Sequence, residues 1–194
     1  IDKKVIFSFT VEEESTCKGA EQVLEKYKKL DAAIICEPTS LYPCYCQKGY
    51  LKLECQYKGK SSHASLPGLG DNSIVKCSED IMKISDLKFK KKHHVLGYPT
   101  ISVTIIEGGK KDNVIPNVCK FIIDSRTTPS LPNDELIALI EKTIKSEIIE
   151  VSDRFEPYES DINEDFIKLM EKKTGKKATG FGALSEMAFF NCPA

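Results

Sequence analysis

Several features are absent from this sequence, and each absence narrows the possible function. The formal net charge is only -1, so no overall field attracts nucleic acid or an anionic membrane surface. No stretch approaches the ~20 apolar residues of a membrane-spanning helix, and no charged-then-apolar secretory leader is present. Internal repeats and low-complexity linkers are missing as well. We therefore expect a cytoplasmic protein without nucleic-acid or membrane partners.

Disulfides and a structural zinc site are not expected either, although the chain has eight cysteines. Four of them lie inside apolar strand or helix patterns, where a free thiol behaves as a small hydrophobic side chain: Cys36, Cys55, Cys77 and Cys119. Cys44 and Cys46 form a single C-x-C pair that has no second pair at zinc-site spacing.

What is present is an ordinary globular composition, 41% hydrophobic and 29% charged over 194 residues. That length suits one large domain or two small ones. The basic run at residues 88–94 follows a helical pattern and is interpreted as a solvated loop. The chain has no initiator methionine and stops soon after an apolar helical pattern, so we expect it to be part of a longer protein.

An apolar run at residues 5–9 ends abruptly in three carboxylates, Glu12, Glu13 and Glu14, before a helical pattern begins. A buried strand that carries acids to its carboxyl end places charge where open α/β sheets bind ligands. Acids are also favoured in the first turn of any helix, because its amide groups carry partial positive charge. Alternatively, one carboxylate binds a cation and its neighbour transfers a proton.

The first 39 residues have the pattern of a strand-helix-strand unit. Residues 3–10 are predicted to form a strand, a helical pattern continues to Leu30, and residues 32–36 form a second strand that ends at Glu37. Short connections of this kind produce parallel strands, whose carboxyl ends meet at one edge of the sheet. Glu13, Glu14 and Glu37 are therefore expected to lie near one another.

From about residue 47 the pattern changes to strict alternation, which is typical of antiparallel strands. The predicted order is strand, helix, strand, strand, helix, strand. The strands are predicted at residues 51–57, 101–106, 118–126 and 148–151, and the helices at 132–144 and at 74–84, the latter begun by Asp71 or Asn72. That order is the split βαβ arrangement of a ferredoxin-like domain. The predicted fold is α/β, with residues 1–46 and 158–194 forming a partial, mostly parallel catalytic domain and residues 47–157 forming an inserted α+β lid.

Short motifs in this chain occur in the order and at the spacing of a known family. They are TVEEESTCKGA at residues 10–20, EPT at 37–39, QKG at 47–49, GKSSHAS at 59–65, GG at 108–109, NVIP at 113–116, DSR at 124–126 and SE at 185–186. Together they resemble the dinuclear zinc metallohydrolases that include acetylornithine deacetylase, succinyl-diaminopimelate desuccinylase and aminoacylase.

The resemblance implies a catalytic α/β domain of zinc-exopeptidase type that holds two divalent metals, zinc or cobalt, and a lid through which the protein forms a homodimer. It implies these roles: Glu13 as general base, Glu14 and Glu37 as ligands of different metals, His63 as a catalytic lid histidine that stabilises the oxyanion, and Asn113, Arg126 and Glu186 as substrate-binding residues. The planar donors of Arg126 suit a carboxylate.

The residues alone leave simpler interpretations open. His63 could be a surface histidine, Arg126 a solvated strand arginine, and Asn113 a turn residue before the sequence VIP at residues 114–116. The pair Ser185 and Glu186 could be only a helix cap.

The sequence also departs from the family pattern in three ways. Cys36 stands where members commonly have glycine or alanine, so a thiol is expected beside the metal site. The motif ALSE at residues 183–186 is closer to acetylornithine-deacetylase-like members than to the desuccinylases. The histidine and bridging aspartate that precede this segment in the family, and the histidine that follows it, are not among these 194 residues.

We therefore expect a metal-dependent amidohydrolase that removes an acyl group from an N-acyl amino acid, through metal-bound water with Glu13 as general base. A di- or aminotripeptidase acting on short peptides, and a non-catalytic dimerisation module, are the alternatives. Self-association is expected through an edge strand such as residues 51–57 or 101–106. Because ligand motifs are missing, this chain by itself is expected to hold no ordered pair of metals and to be inactive.

Overall fold

The structure, a computed structural model, describes residues 4–13 and 16–193 and divides the chain into two compact units. The discontinuous unit consists of Ile1–Gln47 and Tyr158–Ala194, and the inserted unit is Lys48–Pro157. Gln47, which the sequence pattern assigned to the lid, belongs to the discontinuous unit because its side chain is bonded there to Ser185.

The regular elements are short. In chain order they are α1 (Lys18–Lys26), β1 (Cys44–Gln47), β2 (Tyr50–Lys58), β3 (Ser62–His63), α2 (Ser73–Ser85), β4 (Thr100–Gly108), β5 (Val114–Ile115), β6 (Val118–Arg126), α3 (Asn133–Thr143), β7 (Glu147–Phe155), β8 (Tyr158–Glu159), α4 (Asp165–Thr174) and β9 (Thr179–Phe181), with 3-10 turns at Pro67–Leu69 and Glu186–Phe189. No helix within residues 4–13 and 16–193 is both long enough and apolar enough to span a membrane.

The inserted unit has a four-stranded antiparallel sheet in the order β4-β6-β2-β7. With α2 and α3 added, its chain order is the split βαβ arrangement that the alternating pattern predicts. β2 pairs with a neighbour on each side, so the expectation that residues 51–57 form a free edge is wrong. The edges of this sheet are β4 and β7.

Alternation along the strands places one face of this sheet against the two helices. Leu51 and Leu53 of β2 and Phe121 and Ile123 of β6 are fully buried there. Complete burial of side chains of this size contributes roughly 1.5 to 3 kcal/mol each. Three cysteines fill smaller positions of the same core, Cys55, Cys77 and Cys119, so their interpretation as small hydrophobic side chains is confirmed.

A buried asparagine that the sequence did not single out joins the ends of these strands. The Asn133 side-chain amide donates to the carbonyls of Asp153 (3.0 Å), Phe155 (3.3 Å) and Tyr50 (3.4 Å). Its oxygen accepts from the Thr127 hydroxyl at 2.6 Å. Asn133 therefore ties the start of β2 to the end of β7, and its own burial is compensated by hydrogen bonds.

The discontinuous unit contains a three-stranded sheet in the order β8-β1-β9, in which β1 is parallel to β9 and antiparallel to β8. The strands predicted at residues 3–10 and 32–36 are not formed by the described residues. Val5, Phe7 and Phe9 are 73%, 85% and 95% exposed. A strand requires a neighbour to pair its backbone, and no described residue supplies one for this run, so the prediction of a buried strand is wrong.

The second predicted strand fails in the same way. Ile34 is exposed, and so is Cys36, which the pattern placed inside a buried strand. Apolar content indicates that a segment needs a partner, but it does not identify one.

Candidate active site

Glu12 and Glu13 precede α1 in a turn that the Glu12 carbonyl closes, which we call the acidic turn. Glu12 has φ of 61°, a left-handed conformation that is uncommon outside glycine and tends to occur at functional sites. Its carbonyl accepts hydrogen bonds from the backbone amides of Thr16 (3.0 Å) and Cys17 (2.8 Å). The Cys17 thiol donates to the Glu13 carbonyl at 3.0 Å. The backbone that carries Glu13 is thus held by the residues that start the helix.

α1 packs directly on Thr10 and Val11, the two residues before the acidic turn. A Cβ atom at Gly19 would lie 2.8 Å from the Thr10 Cβ and 2.8 Å from the Val11 nitrogen, so only glycine permits this approach. Thr10 is therefore fixed between the acidic turn and the helix.

Among the carboxyls of the predicted site that the structure describes, Glu186 is the most deeply buried, at 8% exposure. Its Oε2 accepts a hydrogen bond from the Thr10 hydroxyl at 3.2 Å. Burial raises the pKa of Glu186, the negative charge of Glu13 raises it further, and the Thr10 hydrogen bond only partly opposes them. The charge of Glu13 therefore acts on Glu186, although the two residues lie near opposite ends of the sequence.

The backbone before Glu186 is held by Gln47, a fully buried residue at the end of β1. The Gln47 oxygen accepts from the Ser185 amide (3.1 Å) and hydroxyl (2.6 Å), and its amide donates to the Ser185 carbonyl (3.1 Å). The Ser185 hydroxyl also accepts from the Met187 amide at 3.3 Å and caps the 3-10 turn, as the simpler interpretation of this motif proposed. We call this arrangement the Gln47–Ser185 clasp.

Glu37 lies at the wall of an apolar cleft in the discontinuous unit. The cleft has an empty volume of about 530 Å³, partly open to solvent, and its walls include Ile35, Phe166, Met170 and Met187. Glu37 is the sole carboxylate among these lining residues. Glu14, the other predicted metal ligand, lies outside the described residues.

His63 and Asn113 are neighbours in the inserted unit. β3 and β5 pair so that His63 faces Val114, and the Asn113 carbonyl accepts from the Ala64 amide at 2.9 Å. The His63 side chain is exposed, with its Nδ1 2.7 Å from the Ser65 hydroxyl. An exposed imidazole on this short two-stranded pairing is available to an external group, and the bond to Ser65 orients it.

Arg126 ends β6, on a different sheet of the inserted unit from His63. Its guanidinium lies 4.6 Å from the centre of the Tyr50 ring. Its Nε and Nη2 donate to the two carboxylate oxygens of Asp124 at 3.2 and 3.4 Å. The charge of Arg126 also acts on Lys48, whose pKa is lowered by partial burial and then by that charge. Two cations therefore share this end of the sheet.

The sequence did not identify Thr10 and Gln47 as contributors to the site. Both lie inside motifs that carried the resemblance, at residues 10–20 and 47–49, but nothing in either motif indicates a contact with Ser185 or Glu186. The burial of Gln47, which requires hydrogen-bond partners for its side chain, becomes visible only in the structure.

Three of the buried thiols are poor candidates for chemistry at this site. All eight cysteines lie in the described residues, and none of them forms a disulfide. Burial raises the pKa of Cys46, Cys55 and Cys119 to about 12, so these thiols stay protonated and are poor nucleophiles at neutral pH.

Comparison with known proteins identifies the family. Residues 45–152, more than half of the chain, match the peptidase dimerisation domain of the M20 family. The chain belongs to the M20 family. Its predicted fold class, an α/β protein with an inserted lid domain, is thereby confirmed.

Two curated relatives are acetylornithine deacetylases. The protein of Myxococcus xanthus is 30% identical over 154 residues, which covers 76% of this chain and 40% of the relative. The protein of Shigella sonnei is 28% identical over 211 aligned residues, which covers 100% of this chain and 55% of the relative. The chain thus spans about half the length of the curated relatives it matches.

A solved structure supports the fold. A tripeptidase from Staphylococcus aureus superimposes with a TM-score of 0.71 over 95% of this chain and 52% of its own, at 18% identity. At that identity the likeness concerns the fold and not the substrate.

Proposed function

We propose that the whole protein is a divalent-metal-dependent hydrolase that removes an acyl group from an N-acyl amino acid, in the manner of acetylornithine deacetylase. The observation that carries this proposal is the similarity to two acetylornithine deacetylases, one of which aligns with the complete chain. The turn that carries Glu13, whose charge acts on the buried acid Glu186, supports it from the structure.

The donor set suits a hard divalent cation. Glu37 presents a carboxylate at the edge of a cleft, and the adjacent position to Glu13 is another carboxylate, Glu14. Oxygen ligands of this kind bind zinc and cobalt as well as harder ions. A metal pair, when bound, acidifies a water molecule and polarises the carbonyl of the substrate.

The remaining chemistry belongs to side chains of this chain. Glu13 accepts the proton of the attacking water and passes it to the departing amine, which requires a carboxylate held in position. The bonds from Thr16 and Cys17 to the backbone on either side of Glu13 provide that support.

Residues of the inserted unit are proposed to bind the substrate. His63 stabilises the oxyanion as a hydrogen-bond donor, and Asn113, which immediately precedes the neighbouring strand β5, contacts the substrate. Arg126 binds the carboxylate of the amino acid with its planar pair of donors.

We propose that the inserted unit forms a homodimer through β4, in line with the dimerisation family to which it belongs. β4 is an edge strand, and Ile105 and Ile106 on it are each 49% exposed. Val75 and Met82 of α2, which packs against β4, are also exposed. A symmetric partner would cover these side chains and pair the free backbone groups.

A second candidate is a di- or aminotripeptidase, favoured by the peptidase family whose domain matches residues 45–152. A cytoplasmic location belongs to the proposal as well, since eight cysteines that form no disulfide suit a reducing compartment.

The test is a substrate panel on the full-length protein with zinc or cobalt, comparing N-acetylornithine, other N-acyl amino acids and short peptides with a free amino end. Glu13→Gln should lower kcat by about 100-fold or more while metal content is retained, because the amide cannot accept the proton. Near-normal turnover of this variant would remove Glu13 from the mechanism. Absence of any hydrolysis by wild type would favour a non-catalytic dimerisation module.

A further inference from the structure

The Glu186 carboxyl has one oxygen that the described residues do not satisfy. Oε2 is bonded to Thr10, but Oε1 is buried and no described residue donates a hydrogen bond to it. The Glu186 side chain forms no ion pair with a lysine, arginine or histidine among residues 4–13 and 16–193, and the charge it faces is that of Glu13. An uncompensated carboxylate in such surroundings is unfavourable.

The surrounding structure holds this carboxyl in place. The Gln47–Ser185 clasp bonds the amide, hydroxyl and carbonyl of the residue immediately before Glu186. Thr10 holds Oε2 from the other side and is itself packed against α1 at Gly19. A carboxyl with a constrained backbone, one bonded oxygen and one unsatisfied oxygen has the properties of a preformed acceptor.

We propose that Glu186 Oε1 accepts a hydrogen bond from a primary ammonium group of the ligand. An ammonium group supplies both the missing donor and the positive charge that Glu13 and Glu186 together lack. The inference deepens the proposed function and rests on it for the source of that group. In a deacylase the ammonium belongs to a basic side chain of the acylated amino acid; in a peptidase it is the free amino end of the peptide.

Kinetics of the full-length protein distinguish these sources. N-acetylornithine is compared with N-acetylnorvaline, which has the same carbon chain but no amine, and a tripeptide with its N-acetylated form. In one of the two pairs, the wild-type protein should have the higher kcat/KM for the member that carries the amine. Glu186→Gln keeps the shape and the Thr10 bond, and should lower kcat/KM for that member by at least about 30-fold, since a buried charge pair loses one partner.

For the member of that pair without the amine, kcat/KM should change by less than about 3-fold in Glu186→Gln. The preference for the amine-bearing member is then lost. The matched control is Glu164→Gln, which removes an exposed carboxylate at the start of α4 in the same unit and should leave both rates unchanged. Equal loss for both members of each pair, or no amine preference in wild type, would overturn the inference while the proposed hydrolysis could still stand.

The clasp provides a separate test of positioning. Gln47→Met removes three bonds to Ser185 at nearly constant volume, and should weaken the amine preference without abolishing hydrolysis of the neutral substrate. Gln56→Met, at a buried glutamine of β2, is the matched control and should not change the preference. Identical effects of the two variants would show that Gln47 acts only through general stability.

If no substrate of the panel is hydrolysed, the proposed function fails and binding decides the inference. Ornithine and norvaline are then titrated into the 194-residue chain, with the amide signals of Ser185 and Met187 followed by NMR. Shifts with ornithine alone, lost in Glu186→Gln, support the ammonium site. Equal shifts with both ligands, or no shift with either ligand, would overturn it. Loss of metal affinity in Glu186→Gln, with the preference for ornithine over norvaline unchanged, would overturn it as well.

Discussion

At the scale of single residues, Arg126 presents a direct test because its guanidinium is already bonded to Asp124. If Arg126 binds the substrate carboxylate, Arg126→Ala should raise KM for acylated amino acids by about 10-fold or more, since a charge-assisted bond is lost. Arg126→Lys should restore only part of this, because a point charge cannot make a paired contact. Steady-state kinetics of the full-length protein measure both.

The control for Arg126 is a substrate whose carboxylate is replaced by an amide. The KM of this amide substrate should not change in Arg126→Ala if Arg126 contacts the carboxylate specifically. Asp124→Asn releases the guanidinium from its present partner and should not raise KM for the carboxylate substrate. Equal losses on both substrates would make Arg126 a structural residue that links β6 to Tyr50 through the ring contact.

Asp80 should stabilise the inserted unit in a pH-dependent manner. Burial alone would raise the pKa of Asp80, but hydrogen bonds from Lys83, Ser146 and Lys145 outweigh it and lower that pKa. A carboxyl whose folded pKa lies below its unfolded value stabilises the fold above the unfolded pKa of about 3.9, and this stability is lost as the pH falls through the folded value. Asp80→Asn should therefore lower the free energy of unfolding by about 1.5 to 3 kcal/mol at pH 7.

Urea unfolding of the 194-residue chain at pH 7 and near pH 3.5 measures this effect. The difference between wild type and Asp80→Asn should shrink at the lower pH. Asp86→Asn removes an exposed carboxylate at the end of the same helix and should change stability by less than about 0.5 kcal/mol at either pH. A difference between wild type and Asp80→Asn that does not depend on pH would show that the hydrogen bonds, and not the charge, carry the effect.

At the scale of elements, the inserted unit could be predicted because its strands and helices are long and periodic. β6 was predicted at its observed residues, 118–126, and the helix that was predicted to begin at Asp71 or Asn72 is α2, which starts at Ser73 with Asn72 as its N-cap. The shorter strands β1, β3, β5, β8 and β9 have two to four residues each. Segments of that length carry no periodic signal, so the sequence did not indicate them.

The candidate site shows the same limit. The acidic turn was recognisable as a motif, but its partner across the fold was not, because Thr10 and Glu186 are 176 positions apart. Local pattern predicts which residues carry chemistry. It does not predict which distant residue completes a hydrogen bond, as the role of Gln47 illustrates.

The edge strand β4 should control dimerisation. Ile105→Lys places a charge on an exposed edge position, which opposes pairing with a second copy. Sedimentation of the 194-residue chain should show dimer at micromolar concentration for wild type and monomer for this variant. Val151→Lys, on the opposite edge strand β7, is the matched control and should remain dimeric. Dissociation by Val151→Lys alone would assign the interface to β7.

At the scale of the whole molecule, the two metal-ligand positions that the resemblance assigns within these residues, Glu14 and Glu37, set what the 194-residue chain can bind by itself. Zinc in proteins usually has three or four protein ligands. Two carboxylates hold a divalent ion weakly, with water in most of its coordination positions. We therefore expect less than one equivalent of metal on the purified chain and no turnover of N-acetylornithine in added zinc or cobalt.

Elemental analysis after gel filtration, with an activity assay on the same sample, measures this expectation. Glu37→Gln should reduce any residual metal further, because it removes one of the two assigned carboxylates, whereas Glu164→Gln should not. Without a cation the acids of the discontinuous unit repel one another, so added metal should raise the unfolding temperature of the chain only slightly. Stoichiometric binding of two metals, or clear turnover, would mean that further ligands lie within these 194 residues.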